Sequence, residues 1–239
     1  MLLRIKMAAK KTGIYAEIGD YHKNLNTSWA YYPIFKAKNK LVTKHILKQL
    51  PKKSKILDAG CGEGVTVRAL RKAGYDARGL DLNYKSRYVI KGAMEKIPFP
   101  KNSFDAIICL DSLQYSTFDK QKIIVKELKR VLKKKGILIF SLPNLSHFAN
   151  RVYFLFTGKL KRTDDKTYPY GDRPIKEYID MINPGFRILK VKGIFPTNFL
   201  LSSLLIKNFP KYFRWLFYLM NLFAYSPWCY YNIIVCRKR

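Results

Sequence analysis

Residues 56–64 read ILDAGCGEG, an apolar run that meets an acid and then alternating glycines. The pattern predicts a strand, a tight turn and a helix arranged around a ligand. Gly60 and Gly62 let the backbone turn sharply and approach a ligand with no Cβ in the way. Gly64 opens the following helix, whose N-terminal amides face the ligand. A glycine-rich turn alone is weak evidence, because dinucleotide enzymes use GxGxxG to hold a pyrophosphate. Here the spacing is GxGxG, and Asp58 stands just before it. That carboxylate repels a pyrophosphate and suits a cationic amino-acid moiety. Farther on, Asp81 ends the next apolar run, in GLDLN. A carboxylate there can accept hydrogen bonds from both ribose hydroxyls, which selects a nucleoside.

Outward from this turn, short apolar runs alternate with helical patterns from Lys55 to Leu142, which indicates βαβ units and a parallel sheet. Strands are expected over Lys55–Asp58, Asp76–Asp81, Phe104–Leu110 and Gly136–Leu142. Helices are expected over Val65–Lys72, Tyr84–Lys91 and Asp119–Lys135, with Gly136 ending the last of them. Before the core, Tyr15–Tyr32 is aromatic and polar without a period. Ile34, Leu41, Val42, Ile46, Leu47 and Leu50 fit one face of a helix that starts at Pro33 and stops at Pro51. After Pro143 the pattern changes. Residues 145–170 read as an irregular or partly helical insertion, and Pro174–Ile182 as a helix with Pro174 in its first turn. Gly185–Gly193 and Cys229–Cys236 read as strands. The whole chain, 1–239, reads as one domain: a helical preface (1–50), a cofactor-binding core (51–142), then a substrate-side insertion with the final strands (143–239).

The chain has 239 residues, 48% hydrophobic and 15% aromatic, enough for one α/β core. Its formal net charge is +30, with lysines spread through every expected element. Such a charge favours anionic partners (nucleic acid, a membrane surface, a phosphorylated substrate) without selecting one. The four cysteines, Cys61, Cys109, Cys229 and Cys236, form no CxxC pair. That excludes a disulfide framework or a zinc site, suggests no metal, and fits a reducing cytoplasm. The start MLLRIKMAAKK lacks the apolar stretch of a secretory leader.

ILDAGCGEG, GLDLN, EKIPFPKNSFDAIICLDSLQY and ELKRVLKKKGILIFSLPN resemble, in order, the motifs of class I S-adenosylmethionine-dependent methyltransferases. They look most like the branch that methylates quinones, sterols, sugars and other small molecules. The resemblance implies a Rossmann-like α/β fold: a seven-stranded, mostly parallel sheet with helices on both faces and one late antiparallel strand. An apolar helical insertion near the C-terminus completes the expected architecture. The resemblance also implies S-adenosyl-L-methionine as cofactor. Asp58 and the turn Gly60–Cys61–Gly62–Gly64 would hold its methionine part, and Asp81 with Leu82 the ribose side. Ala93 stands where the family usually has an acid near the adenine, and Met94 and Leu110 would give apolar contact.

Asp111 and Tyr115 follow the fourth strand, at the carboxyl end where open α/β sheets bind ligands. With His147 they are the candidates for substrate contact and catalysis. A hydroxyl acceptor needs a base, and imidazole is best matched near neutral pH. His22, His45 and His147 are the three histidines. His45 belongs to the helix face after Pro33, whereas His147 lies just past the fifth strand. The apolar run Phe199–Tyr225 reads as one or two helices packed on the sheet or capping the substrate. An interfacial helix is the alternative, with Lys207, Lys211 and Arg214 near anionic headgroups. Trp215–Cys236 has no charge and the length of a bilayer span, but Asn221, Ser226, Pro227 and Asn232 interrupt it.

The expected activity is methyl transfer to oxygen of a small-molecule, glycan or lipid-linked acceptor, with peripheral membrane contact as a further expectation. An RNA methyltransferase is the alternative that the charge suggests, although LDSL replaces the [ND]PP[YF] signature of base amino-group methylation. A degenerate binding protein of the same fold is the non-enzymatic alternative.

Overall fold

The computed structural model describes residues 32–160 and 172–239, apart from Lys207 and Arg214. His22, the N-terminal aromatic stretch up to residue 31, the part of the insertion from 161 to 171, and the two cations Lys207 and Arg214 lie outside the described residues.

The core strands form where the apolar runs predict them: β1 (Lys55–Ala59), β2 (Asp76–Asp81), β4 (Phe104–Leu110) and β5 (Leu132–Pro143). Each buries both faces. Ile56, Ala106, Ile108, Ile137 and Ile139 point into one core, while Leu57, Ile107, Cys109, Leu138 and Phe140 point into the other. Two cores explain why these runs are continuously apolar rather than alternating. Helices α1 (Tyr32–Gln49) and α2 (Val65–Lys72) cover the first face; α3 (Phe118–Val131) and α5 (Ile175–Ile182) cover the second.

The seven strands run in the order β3-β2-β1-β4-β5-β7-β6, where β3 is Val89–Lys91, β6 is Phe186–Pro196 and β7 is Cys229–Lys238. Every pair is parallel except those of β7, which runs against both β5 and β6. This is the Rossmann-like, mostly parallel sheet with one late antiparallel strand that the motifs imply. The glycine turn, the ends of β2 and β4, and the start of β7 therefore share one edge of the sheet.

Three local expectations are corrected. No helix spans Tyr84–Lys91. Val89 and Ile90 are β-branched and pair along β2 instead, and the Gly79 amide donates to the Tyr88 carbonyl at 2.8 Å. Helix α3 stops at Val131, four residues before its expected end. The amides of Asn102 and Ser103 take the Arg130 and Val131 carbonyls at 3.0 and 2.8 Å, and the buried Leu132 enters the sheet opposite Phe104. Pro174 is the N-cap of α5 rather than a residue of its first turn.

Between β5 and α5 the chain forms α4 (Phe148–Thr157). Between β6 and β7 lie a π-helical stretch (Phe199–Ile206), α6 (Pro210–Phe213), α7 (Leu216–Asn221) and a 3-10 turn (Ser226–Trp228). Among the described residues, no helix is long and apolar enough to cross a membrane.

Asn144 fastens these connections. It is fully buried just past β5, and its Nδ2 donates to the carbonyls of Pro227 and Cys229, both at 3.1 Å. Its Oδ1 accepts from the amides of Ile175 (3.0 Å) and Ser146 (3.1 Å). Asn144→Ala strands four backbone groups, those of Cys229 and Ile175 in buried surroundings. The expected cost is roughly 2–3 kcal/mol, read as a fall in Tm of about 5–10 °C for a chain of this size. An unchanged Tm would mean that water replaces the amide without loss.

Candidate active site

The turn after β1 adopts a conformation that side chains resist. Gly60, Gly62 and Gly64 have φ of 77°, 53° and 73°, all in the left-handed region. At Gly60 a second constraint applies. The place of a Cβ is filled by the Ser112 side chain, whose hydroxyl donates to the Gly60 carbonyl at 3.1 Å. The freedom of Gly60 thus serves close packing against the loop after β4 as well as access to a ligand. Gly64 is the N-cap of α2, as expected.

Asp81 ties the turn to β2. Its Oδ2 accepts from the Gly62 amide and its Oδ1 from the Asn83 amide, both at 2.8 Å. With the Tyr84 amide also bonded to it, the carboxylate keeps one acceptor site for a further donor. Burial raises the pKa of this carboxyl group, and the backbone amides at Asn83, Gly62 and Tyr84 oppose the rise. Leu82, next along the chain, is 54% exposed, an apolar side chain held open beside the acid. The Asp81 carbonyl also accepts from the Gly92 amide at 2.9 Å, which sets Ala93 and Met94 alongside the same edge. The Met94 sulfur lies against the Gly60 position. Within the turn the Cys61 thiol is buried over Gly79, and burial with the neighbouring acids pushes its pKa far up, so the side chain is inert packing.

Asp58 is 3% exposed at the end of β1. Burial and the Asp81 carboxylate raise its pKa to about 7, while Lys38 works against them. Lys38 is the residue that sequence reasoning missed. Ile34, Lys38, Val42 and Ile46 follow one another every four residues along α1, and all four are buried. A lysine within that stripe was the available signal. Its ammonium pairs with the Asp111 carboxylate, sits over the Tyr231 ring at 5.9 Å, and is pulled down to a pKa of about 7 by burial, with Asp58 opposing. Because the ammonium is buried, loss of the Asp111 carboxylate would leave it without its counter-charge and is costly.

Asp111 itself has φ of 50°, a left-handed conformation uncommon for a residue with a side chain. Ser141 of β5 holds it there. The Ser141 hydroxyl donates to the Asp111 carboxylate at 2.5 Å, and the Asp111 amide points at the Ser141 carbonyl at 3.2 Å. Leu110, half-buried, precedes it, and Tyr115 closes the 3-10 turn Leu113–Tyr115 that follows. Beside Tyr115, Gln114 is fully buried, with no hydrogen-bond partner for either amide atom among the described residues.

His147 is the N-cap of α4. Its Nδ1 lies 2.7 Å from the Thr197 hydroxyl, and its ring meets that of Tyr230 edge-on at 5.3 Å. Burial drops its pKa to about 4. Tyr230 in turn packs on Tyr231 at 4.9 Å, so an aromatic pair separates His147 from Lys38 and Asp111 rather than a direct contact. His45 lies on α1 with Lys190 as its charged neighbour, a packing position as expected. Among the described residues, no cluster of His, Cys, Asp and Glu could hold a metal.

The edge thus offers a carboxylate for a cation, a second carboxylate for hydroxyls, and an open apolar side chain, which together fit a nucleoside carrying an amino-acid tail. The comparisons agree. A family model described as a methyltransferase domain matches residues 57–140. The demethylmenaquinone methyltransferase of Thermotoga maritima is 31% identical over 162 residues, 59% of this chain and 69% of that protein. The Bacillus subtilis chain YqeM, named as a methyltransferase, is 26% identical over 204 residues, 64% of this chain and 81% of its own. A solved S-adenosylmethionine-dependent methyltransferase of Thermotoga maritima superposes with a TM-score of 0.57, covering 93% of this chain and 99% of its own, at 17% identity. The turn, the order of the strands and these relatives converge: the chain belongs to the S-adenosylmethionine-dependent methyltransferases, with S-adenosylmethionine as its cofactor.

Proposed function

We propose that this enzyme methylates an oxygen of a small-molecule, glycan or lipid-linked acceptor. The observation that carries this reading is Lys38 of α1, buried and paired with Asp111 at the carboxyl edge. A site hemmed in by a helix side chain suits a thin acceptor better than a folded RNA. The helical segments between β6 and β7 serve, on this reading, as an apolar insertion on the acceptor side.

S-adenosylmethionine, when bound, supplies a methyl group on a sulfonium that an acceptor oxygen can displace. Asp58 would face the cofactor's ammonium, Asp81 would accept from a ribose hydroxyl, and Leu82, Met94 and Leu110 would provide apolar contact. The backbone at Gly60, Cys61, Gly62, Gly64 and Ala93 shapes the cradle. Asp111 and Tyr115 contact the acceptor away from its reacting oxygen. His147 would take the proton that the acceptor hydroxyl gives up on methylation. The Thr197 hydroxyl lies 3.4 Å from the Trp228 carbonyl. With its proton there, the Nδ1–H of His147 donates to Thr197 and Nε2 keeps the lone pair. A pKa of about 4 makes this imidazole a weak base that stays neutral throughout the physiological range. Alignment therefore supplies most of the rate, worth roughly 7–11 kcal/mol at best.

Three outcomes are expected. Asp81→Ala weakens S-adenosylmethionine binding by about tenfold or more in calorimetry, equal to at least ~1.4 kcal/mol; equal affinity removes Asp81 from the site. The Asp58 carboxyl group, with its pKa of about 7, must lose its proton to meet an ammonium. Affinity for the cofactor then rises as pH climbs from about 6 to 8, and Asp58→Asn flattens the rise. A wild-type affinity independent of pH contradicts this assignment. His147→Ala lowers kcat by roughly a hundredfold or more with cofactor affinity intact, and the acid limb of the wild-type profile falls near pH 4, at the depressed pKa of His147. Undiminished turnover rejects His147 as the base.

A further inference from the structure

Large apolar side chains are exposed in one region. All of those among the described residues lie within 153–160 and 200–228, except Val65, Leu82, Ile123 and Leu189. Leu155, Phe156, Leu222 and Phe223 are 79, 85, 77 and 76% exposed. These segments are apolar on both sides. In α7, Leu216, Phe217 and Met220 pack into the core, and the outward Tyr218 and Leu219 are apolar too. An ordinary surface helix turns a polar face to water.

The two segments form one surface. Phe148 at the start of α4 meets the Trp228 ring at 5.3 Å, and Trp228 meets Tyr225 at 5.5 Å. Both segments leave the sheet at its carboxyl edge: α4 follows β5, the π-helical stretch follows β6, and the antiparallel β7 starts from the same edge. The exposed surface therefore adjoins the edge that carries Asp81 and Asp111.

Charge selects the occupant. Neither 145–160 nor 197–228 contains an acidic residue, whereas Arg151, Lys159 and Lys211 stand exposed among the aromatics. A second copy of this chain would bring another +30 to the contact. Protein interfaces are poor in lysine, while tryptophan, tyrosine and lysine together characterise the water–lipid boundary. We propose that this face docks on an anionic lipid bilayer, with Trp215, Tyr225 and Trp228 at headgroup depth and Leu155, Phe156, Leu222 and Phe223 below them. The docked enzyme presents its acceptor side to the lipid, which selects a lipid-linked acceptor among the classes above; only that last step rests on the proposed methyl-transfer activity.

The test uses the full chain with vesicles of phosphatidylcholine alone or mixed with phosphatidylglycerol. Co-sedimentation is expected with the mixed vesicles, weaker at high salt and weak with phosphatidylcholine alone, with a blue shift of tryptophan emission on binding. The triple variant Phe156→Ser, Leu222→Ser, Phe223→Ser, substituted at exposed positions, should lose binding by about tenfold or more while its affinity for S-adenosylmethionine in calorimetry is unchanged. Absence of binding to the mixed vesicles, or equal binding by the variant, overturns the proposal. So does a wild-type oligomer in light scattering that the variant abolishes, because a second copy then covers the face. Cofactor calorimetry reads the methyltransferase assignment separately, so either can fail alone.

Discussion

Three carboxylates gathered at one edge of a buried sheet must be kept apart in energy, and the structure is arranged around that constraint. Asp58, Asp81 and Asp111 end β1, β2 and β4, where the strands run out and ligands bind. Each is handled differently. Asp81 is solvated by backbone amides, Asp111 is paired with the ammonium of Lys38, and Asp58 is raised by burial to a pKa of about 7, where it shares its time between the two forms. A carboxylate left dry and unpaired would otherwise cost several kcal/mol. Helix α1 is thereby more than a cover, since its Lys38 brings a positive charge to Asp111.

The core was legible because it rests on local rules. Strands buried on both faces must be apolar throughout, and glycines are the residues that most readily take three left-handed steps in five positions. Val65–Lys72 and Phe104–Leu110 form as read. The misreadings share one cause, tertiary pairing that outweighs periodicity. Tyr84–Lys91 can present a helical face, yet β2 has a free edge, and Val89 and Ile90 take it. The basic end of α3 is a good helix in isolation, but Leu132, whose amide still donates to the Leu128 carbonyl, turns into the sheet and buries its side chain in the core.

At the site, the residues whose chemistry depends on the backbone were readable, and those whose chemistry depends on a distant partner were not. Gly60, Gly64 and Asp81 declare themselves through spacing. Lys38 needed Asp111, seventy-three positions away, to be more than one lysine among many. Ser141 and Ser112 likewise matter only through the loops they fasten. His147 shows the converse: its place after β5 was visible, but not the Thr197 contact or the burial that weakens it as a base.

The position of β7 has a consequence for the order in which the molecule assembles. Among the described residues β6 pairs with no strand except β7, and β7 fills the slot between β6 and the much earlier β5. A chain emerging from the ribosome completes β6 while β7 is still unmade. Until Cys229–Lys238 arrives, the flank of β5 stays unpaired, and the whole apolar stretch from 199 to 228 has no finished sheet to lie against. The last strand is a wedge that closes the fold from within, and its late arrival leaves a period in which an exposed strand edge and an aromatic surface coexist.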